Sequence, residues 1–334
     1  MPDPIDIPDE AFLAKPLFSD FPGADIVTEV REWVKGNPPW AWRGHTHAEP
    51  TVDEAFEIRY VADFQLPKGT ESPCPCCTPR HPKFGIGFIA WFPRSACIRL
   101  MGRDCFRTLN PEGHDFAVRE LDERQRREAT IAYLTQNIEK RHAAIAALEQ
   151  SLPLARQVDS LQEQLGESLR PAIGIDLWQQ LRDGGQLKVV EETARGPIFV
   201  PYATVEGYAL IDPSRKRTEP SVNTAIRHLK NIDLASDVAD ASDTEREAAA
   251  KAFQRGMVVG REVLDVIADC RRFVSVLSFA TLRNWGNQDN APARLYARRD
   301  GHELYIGRSE DSVRRITLDA CIDLSVPVLP QIAV

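Results

Sequence analysis

Residues 74 to 81 read CPCCTPRH, three cysteines and a histidine within eight positions. Thiols and imidazoles serve metals, redox couples and nucleophilic catalysis, so spacing has to choose among these uses. Cys74 and Cys77 have the Cys-x2-Cys spacing of a zinc knuckle, which offers two thiolates from one tight turn, with Cys76 between them. A tetrahedral ion needs two more donors, and downstream the chain offers His81, Cys97 and Cys105. Five of the seven cysteines fall between Cys74 and Cys105, and the total is odd, which suits a local site better than a framework of bridges. A redox Cys-x-x-Cys should open a helix, and Pro75 with the TPRHPK that follows opposes one. A catalytic Cys–His pair is assembled in space, so spacing says little about it.

The elements around the cluster must hold those donors. Phe56, Ile58, Tyr60, Ala62 and Phe64 alternate with polar residues and predict a strand with one buried face. Phe84–Phe92 and Ala96–Met101 predict a hairpin turning at PRS, and Cys105, in GRDCF, stands where a helix should begin. Knuckle, hairpin and a cysteine at a helix start, in that order, resemble the treble-clef zinc-binding folds over about residues 70–117. The resemblance implies that Cys105 closes the site from the helix start. That family commonly takes two ligands there, whereas His114 lies beyond Pro111 and Gly113, so His81 supplies the fourth. The expected set is Cys74, Cys77, His81 and Cys105, with Cys97 as the alternate to His81 and Cys76 as the alternate to a knuckle partner. Four donors with no open position describe one structural Zn2+ per chain, able to contribute on the order of 10 kcal/mol of folding free energy. Pro73-Cys74 to Cys77 and His47-Ala48-Glu49 have the literal form of the two zinc-deaminase half-motifs, but no helix can be read around His47.

The net charge of −8 is uneven. Residues 1–67 hold 13 acidic and 5 basic side chains, and residues 68–108 hold 2 acidic and 7 basic ones. Arg80, Lys83, Arg94, Arg99, Arg103 and Arg107 therefore surround the cysteines in a basic module, which suits phosphate contacts to a nucleic acid.

Further along, Ile131, Leu134, Ile138, Ile145, Leu148 and Leu152 form a heptad-like seam that resumes at Val158, Leu161, Leu165 and Leu169. Pro153 predicts two helices meeting near Ser151–Pro153, a helical hairpin or coiled coil that residues 131–169 could use to self-associate. Ser242 to Glu245 has the capping-box form and predicts a helix running toward Leu282, with Gly256 and Gly260 allowing close helix packing. Asp300-Gly301 predicts a hairpin that pairs Tyr296 with Tyr305, and Ile316 to Val326 alternates like a strand.

Together these features predict an α+β protein in four parts. They are an acidic segment 1–67 packing on the zinc module, the zinc module 68–117, a helical arm 118–170 and a C-terminal α+β domain 171–334 with antiparallel strands. No apolar run is long enough to span a membrane, and the acidic, proline-rich start is not a targeting peptide, so a cytoplasmic protein is expected. Phosphate loops, nucleophile elbows and kinase motifs are missing. The expectation is a non-enzymatic recognition protein that binds nucleic acid through the zinc module. The alternatives are an assembly scaffold using the helical arm, or an enzyme with a site in the C-terminal domain.

Overall fold

The computed structural model describes residues 3–212, 214–234 and 237–333 of an α+β chain. It divides into two compact units, Met1–Ala129 and Thr130–Val334.

In the first unit, Val30 and its apolar neighbours build α1 (Ala24–Trp33), which the KGNPP run ends. A capping box between Thr51 and Glu54 opens the single turn α2 (Val52–Ala55). That turn delays the expected strand: β1 spans Arg59–Gln65, and Phe56 stays outside it, exposed. Short strands β2 (Ser72–Cys74) and β3 (Thr78–Phe84) pair with each other and carry the knuckle between them. The predicted hairpin forms as β4 (Ile86–Phe92) and β5 (Cys97–Gly102), turning at Ala96 with φ of 52°. The sheet order is β1-β4-β5, all antiparallel. Every residue of β5 is buried, so this sheet is covered on both faces and has lost the one-sided pattern of a solvated strand. Cys105–Thr108 is only a 3-10 turn, and α3 (Pro111–Asn137) begins six residues after Cys105. Proline is at home in a first turn, and Asn110 Oδ1 accepts the Gly113 N–H at 2.9 Å. The boundary between the units lies inside α3.

The second unit corrects the expected break in the helical arm. Helix α4 (Arg141–Ile173) runs through Pro153, and the interruption is a 3-10 turn at Ile138–Lys140. An interior proline costs about 3 kcal/mol. Leu148, Leu154, Ala155, Val158 and Leu161 offset that by lying fully buried in the core of the unit. The break sits where Asn137, 1% exposed, turns its side-chain amide onto the carbonyls of Tyr133 and Ala333. The apolar seam is thus covered by elements of its own unit and does not form a projecting arm.

The covering elements follow in order. They are α5 (Ile175–Gly184), the hairpin β6 (Gln186–Thr193) and β7 (Gly196–Thr204), α6 (Thr218–Lys230), α7 (Asp243–Phe273) and α8 (Val276–Gly286). The Ser242–Glu245 capping box forms and opens α7. Gly256 lets that helix close on α6, because a Cβ there would stand 2.6 Å from Leu229.

A meander of β8 (Tyr296–Asp300), β9 (Glu303–Gly307) and β10 (Val313–Thr317) completes the unit. Its first turn is Gly301-His302, one residue later than expected, so Tyr296 faces Gly307 and Ala297 faces Ile306. Gly301 takes φ of 56° at the first central position, and this register buries Ala297, Leu304 and Ile306 together. The predicted strand to Val326 stops at Thr317, because Asp319 accepts the Cys321 N–H and starts a 3-10 turn. Among the described residues, no helix is long and apolar enough to cross a membrane.

Candidate metal centre

Cys74, Cys77 and Cys105 come together, with their sulfurs all within 4.8 Å of one another. Two elements deliver them: the β2–β3 turn supplies Cys74 and Cys77, and the turn after β5 supplies Cys105. Cys77 Sγ lies 3.2 Å from Cys105 Sγ. Four thiolates around zinc at ~2.3 Å stand roughly 3.8 Å apart, so the group needs only small adjustments to grip an ion. Gly102 makes room for it, because a Cβ there would sit 2.8 Å from Cys105 Sγ and 3.1 Å from Phe84 Cβ. Cys74 is fully buried, Cys105 half-buried and Cys77 exposed, so the group opens toward solvent on one side.

Electrostatics mark Cys74 as the anionic member. Hydrogen bonds from the Cys105 and Cys76 thiols, and from the backbone N–H groups of Gly102 and Cys76, hold its pKa far below the ordinary thiol range despite burial. The same negative charge, with burial, pushes the Cys76 and Cys105 thiols up. The Cys74 thiolate is thus held between the Cys76 and Cys105 thiols, whose own ionisation it opposes. A divalent cation is what would allow the rest to ionise, since metal binding draws protons off thiols. The donor set fits a thiophilic ion such as zinc.

The other candidates are placed as follows. His81 lies half-buried on β3, outside the three-sulfur group. Cys97 begins β5 and Gly102 ends it, about 17 Å apart at a normal strand rise, so Cys97 stands at the far end of the strand from Cys105. Its thiol donates to the Ser95 carbonyl at 3.2 Å. Cys76 is buried between Cys74 and Met101, with its sulfur 3.6 Å from Met101 Sδ.

Of the six expected phosphate contacts, Arg99 is buried and unavailable to a surface ligand. Its Nη2 lies 3.1 Å from both carboxylate oxygens of Glu54, and its Nε donates to the Ala48 carbonyl. Lys83 and Arg94 are exposed. Arg80 reaches Asp9 at 3.6 Å, Arg103 reaches Asp63 at 3.7 Å and Arg107 reaches Asp115 at 3.2 Å, all with side chains about half exposed.

Two buried histidine networks near the thiols carry no sequence signal beyond the presence of His. The Tyr60 hydroxyl and His114 Nδ1 are 2.7 Å apart, and burial together with the negative charge of the cysteines and Asp104 pushes the Tyr60 pKa far up. His45 and His47 hydrogen-bond to each other, and His47 Nε2 reaches the Pro79 carbonyl on β3 at 2.7 Å. With both ring nitrogens engaged and no helix around it, His47 does not take the ligand position of a deaminase. No family of known proteins, no curated protein and no solved structure matches this chain.

Proposed function

We propose that the N-terminal unit is a treble-clef-like recognition module folded around one structural zinc ion and used to bind nucleic acid. The convergence of Cys74, Cys77 and Cys105 carries the metal reading. Cys76 is our choice of fourth donor over His81, because its thiol lies against Cys74. The nucleic-acid reading draws on Arg80, Lys83, Arg94, Arg103 and Arg107, with Arg99 left out. Arg80 and Lys83 follow the knuckle on β3, and Arg103 and Arg107 flank Cys105. Their carboxylate partners do not disqualify them. Exposed ion pairs contribute about 0–1 kcal/mol, so a phosphate backbone can exchange with Asp9, Asp63 and Asp115.

Purified protein should contain about one zinc per chain. Labelled duplex and single-stranded oligonucleotides should bind with an affinity that falls steeply as salt rises. Five phosphate contacts give a log–log slope of about −4.5 on the duplex and about −3.5 on the single strand. An affinity that stays flat between low and moderate salt would remove nucleic acid as the partner and leave the metal reading standing.

A further inference from the structure

We propose that the second unit binds a small organic phosphate monoester in a groove beside the C-terminal half of α4. Arginines reach this groove from three elements: Arg170 on α4, Arg215 and Arg217 ahead of α6, and Arg314 on β10. Glu163 and Glu167 are the acidic residues of the lining among the described residues, and Asp159 stands 3.8 Å from Arg215, so four arginines face three carboxylates on a chain whose net charge is −8. The positive surplus favours an anion, and a phosphate monoester presents one with three acceptor oxygens at neutral pH.

Arg215 is the observation that points to a missing anion. Its side chain is 11% exposed, and its Nη groups donate to Thr218 Oγ1 at 2.7 Å and Gln162 Oε1 at 3.0 Å, both neutral acceptors. Its Nε–H is buried without a hydrogen-bond partner among the described residues. Asp159, the nearest carboxylate at 3.8 Å, is already engaged by the backbone N–H groups of Thr218 and Glu219. The long pair with Asp159 leaves this buried guanidinium with hydrogen-bonding capacity that a further anion could complete. Arg217 and Arg314 are held by Glu163 and Glu167 in exposed pairs, which fix the guanidiniums at small energetic gain and leave other N–H groups free to donate.

The rest of the lining selects an organic body over the bare anion. Ile175, 47% exposed, gives the groove an apolar floor, backed by the buried Trp178 and Ile211 at its edge. Gly166 leaves the α4 surface bare next to the Trp178 ring, where a Cβ would stand 3.9 Å away. A flat apolar group fits over that floor while its phosphate meets the arginines, as in a nucleoside monophosphate.

Titration calorimetry of the full chain with AMP, adenosine and inorganic phosphate at pH 7.5 tests this. AMP should bind, adenosine should bind at least tenfold more weakly, and phosphate alone should bind more weakly than AMP. Arg170→Gln with Arg314→Gln, both exposed, should weaken AMP at least tenfold with an unchanged melting temperature, and Gly166→Leu should block the floor. Three results would overturn the proposal: no heat with AMP, equal affinity for adenosine, or wild-type affinity in the arginine double variant. Phosphate binding as tightly as AMP would overturn the assigned ligand class.

Discussion

His45 Nε2 lies 2.8 Å from His47 Nδ1, with both side chains buried. The neighbours fix both tautomers. The Leu100 N–H donates to His45 Nδ1 at 2.9 Å, so His45 carries its proton on Nε2 and donates it to His47 Nδ1. His47 then keeps its proton on Nε2 and donates to the Pro79 carbonyl. This neutral chain ties β5 to the strand that follows the knuckle, and a further proton has no place in it.

A definite pH dependence follows. Burial, the partner His47 and the cations Lys15 and Arg99 push the His45 pKa well below 6.5. Burial also lowers His47, helped by Arg80 and opposed by the Pro79 carbonyl and Cys74. With folded pKa values depressed, the unfolded chain binds more protons below pH ~6.5, so this contribution is present above that pH and is lost as pH falls through it. Urea midpoints should be level from pH 8 to 7 and drop between pH 6.5 and 5, with metal content followed in the same samples. A level midpoint down to pH 5 with metal retained would contradict the neutral chain.

For the thiols, Cys74→Ser, Cys77→Ser and Cys105→Ser should each lower zinc occupancy at least tenfold and destabilise the N-terminal unit by several kcal/mol. Cys97→Ser, at the far end of β5, should keep the metal. Comparing Cys76→Ser with His81→Ala by metal analysis identifies the fourth donor, and Cys76 is expected to be the one whose loss releases the ion.

Arg99 and Glu54 are coupled in a nearly dry setting, with side chains 2% and 13% exposed. Removing one member of such a pair costs about 3–5 kcal/mol, because the survivor is left charged and unpaired. Arg99→Met and Glu54→Gln should each show a loss of that order in denaturant unfolding. The double variant should lose much less than the sum of the two, and simple additivity would deny the coupling.

Asn137 joins α3 to the chain's last described residue. Its amide donates to the Ala333 carbonyl at 3.1 Å and accepts the Ala333 N–H at 2.9 Å. Asn137→Ala should cost about 1–3 kcal/mol. Hydrogen exchange should show the amide of Ala333 losing protection while the α7 core keeps its own.

What the sequence determined by itself was local. The Cys74–Cys77 knuckle, the Ser242 capping box and the β4–β5 hairpin were legible because spacing and hydrogen bonds within a few residues specify them. The tertiary structure decided what joins distant positions. Cys77 meets Cys105 across 28 residues, Tyr60 meets His114 across 54, and Asn137 meets Ala333 across 196. It also took Arg99 from the phosphate-facing set into an internal ion pair. It covered the α4 seam with the unit's own elements and moved the helix break from Pro153 to Asn137. The physical reason is the same each time: residue type limits what a side chain can bond to, and only packing fixes which partner is within reach and whether water can compete for it.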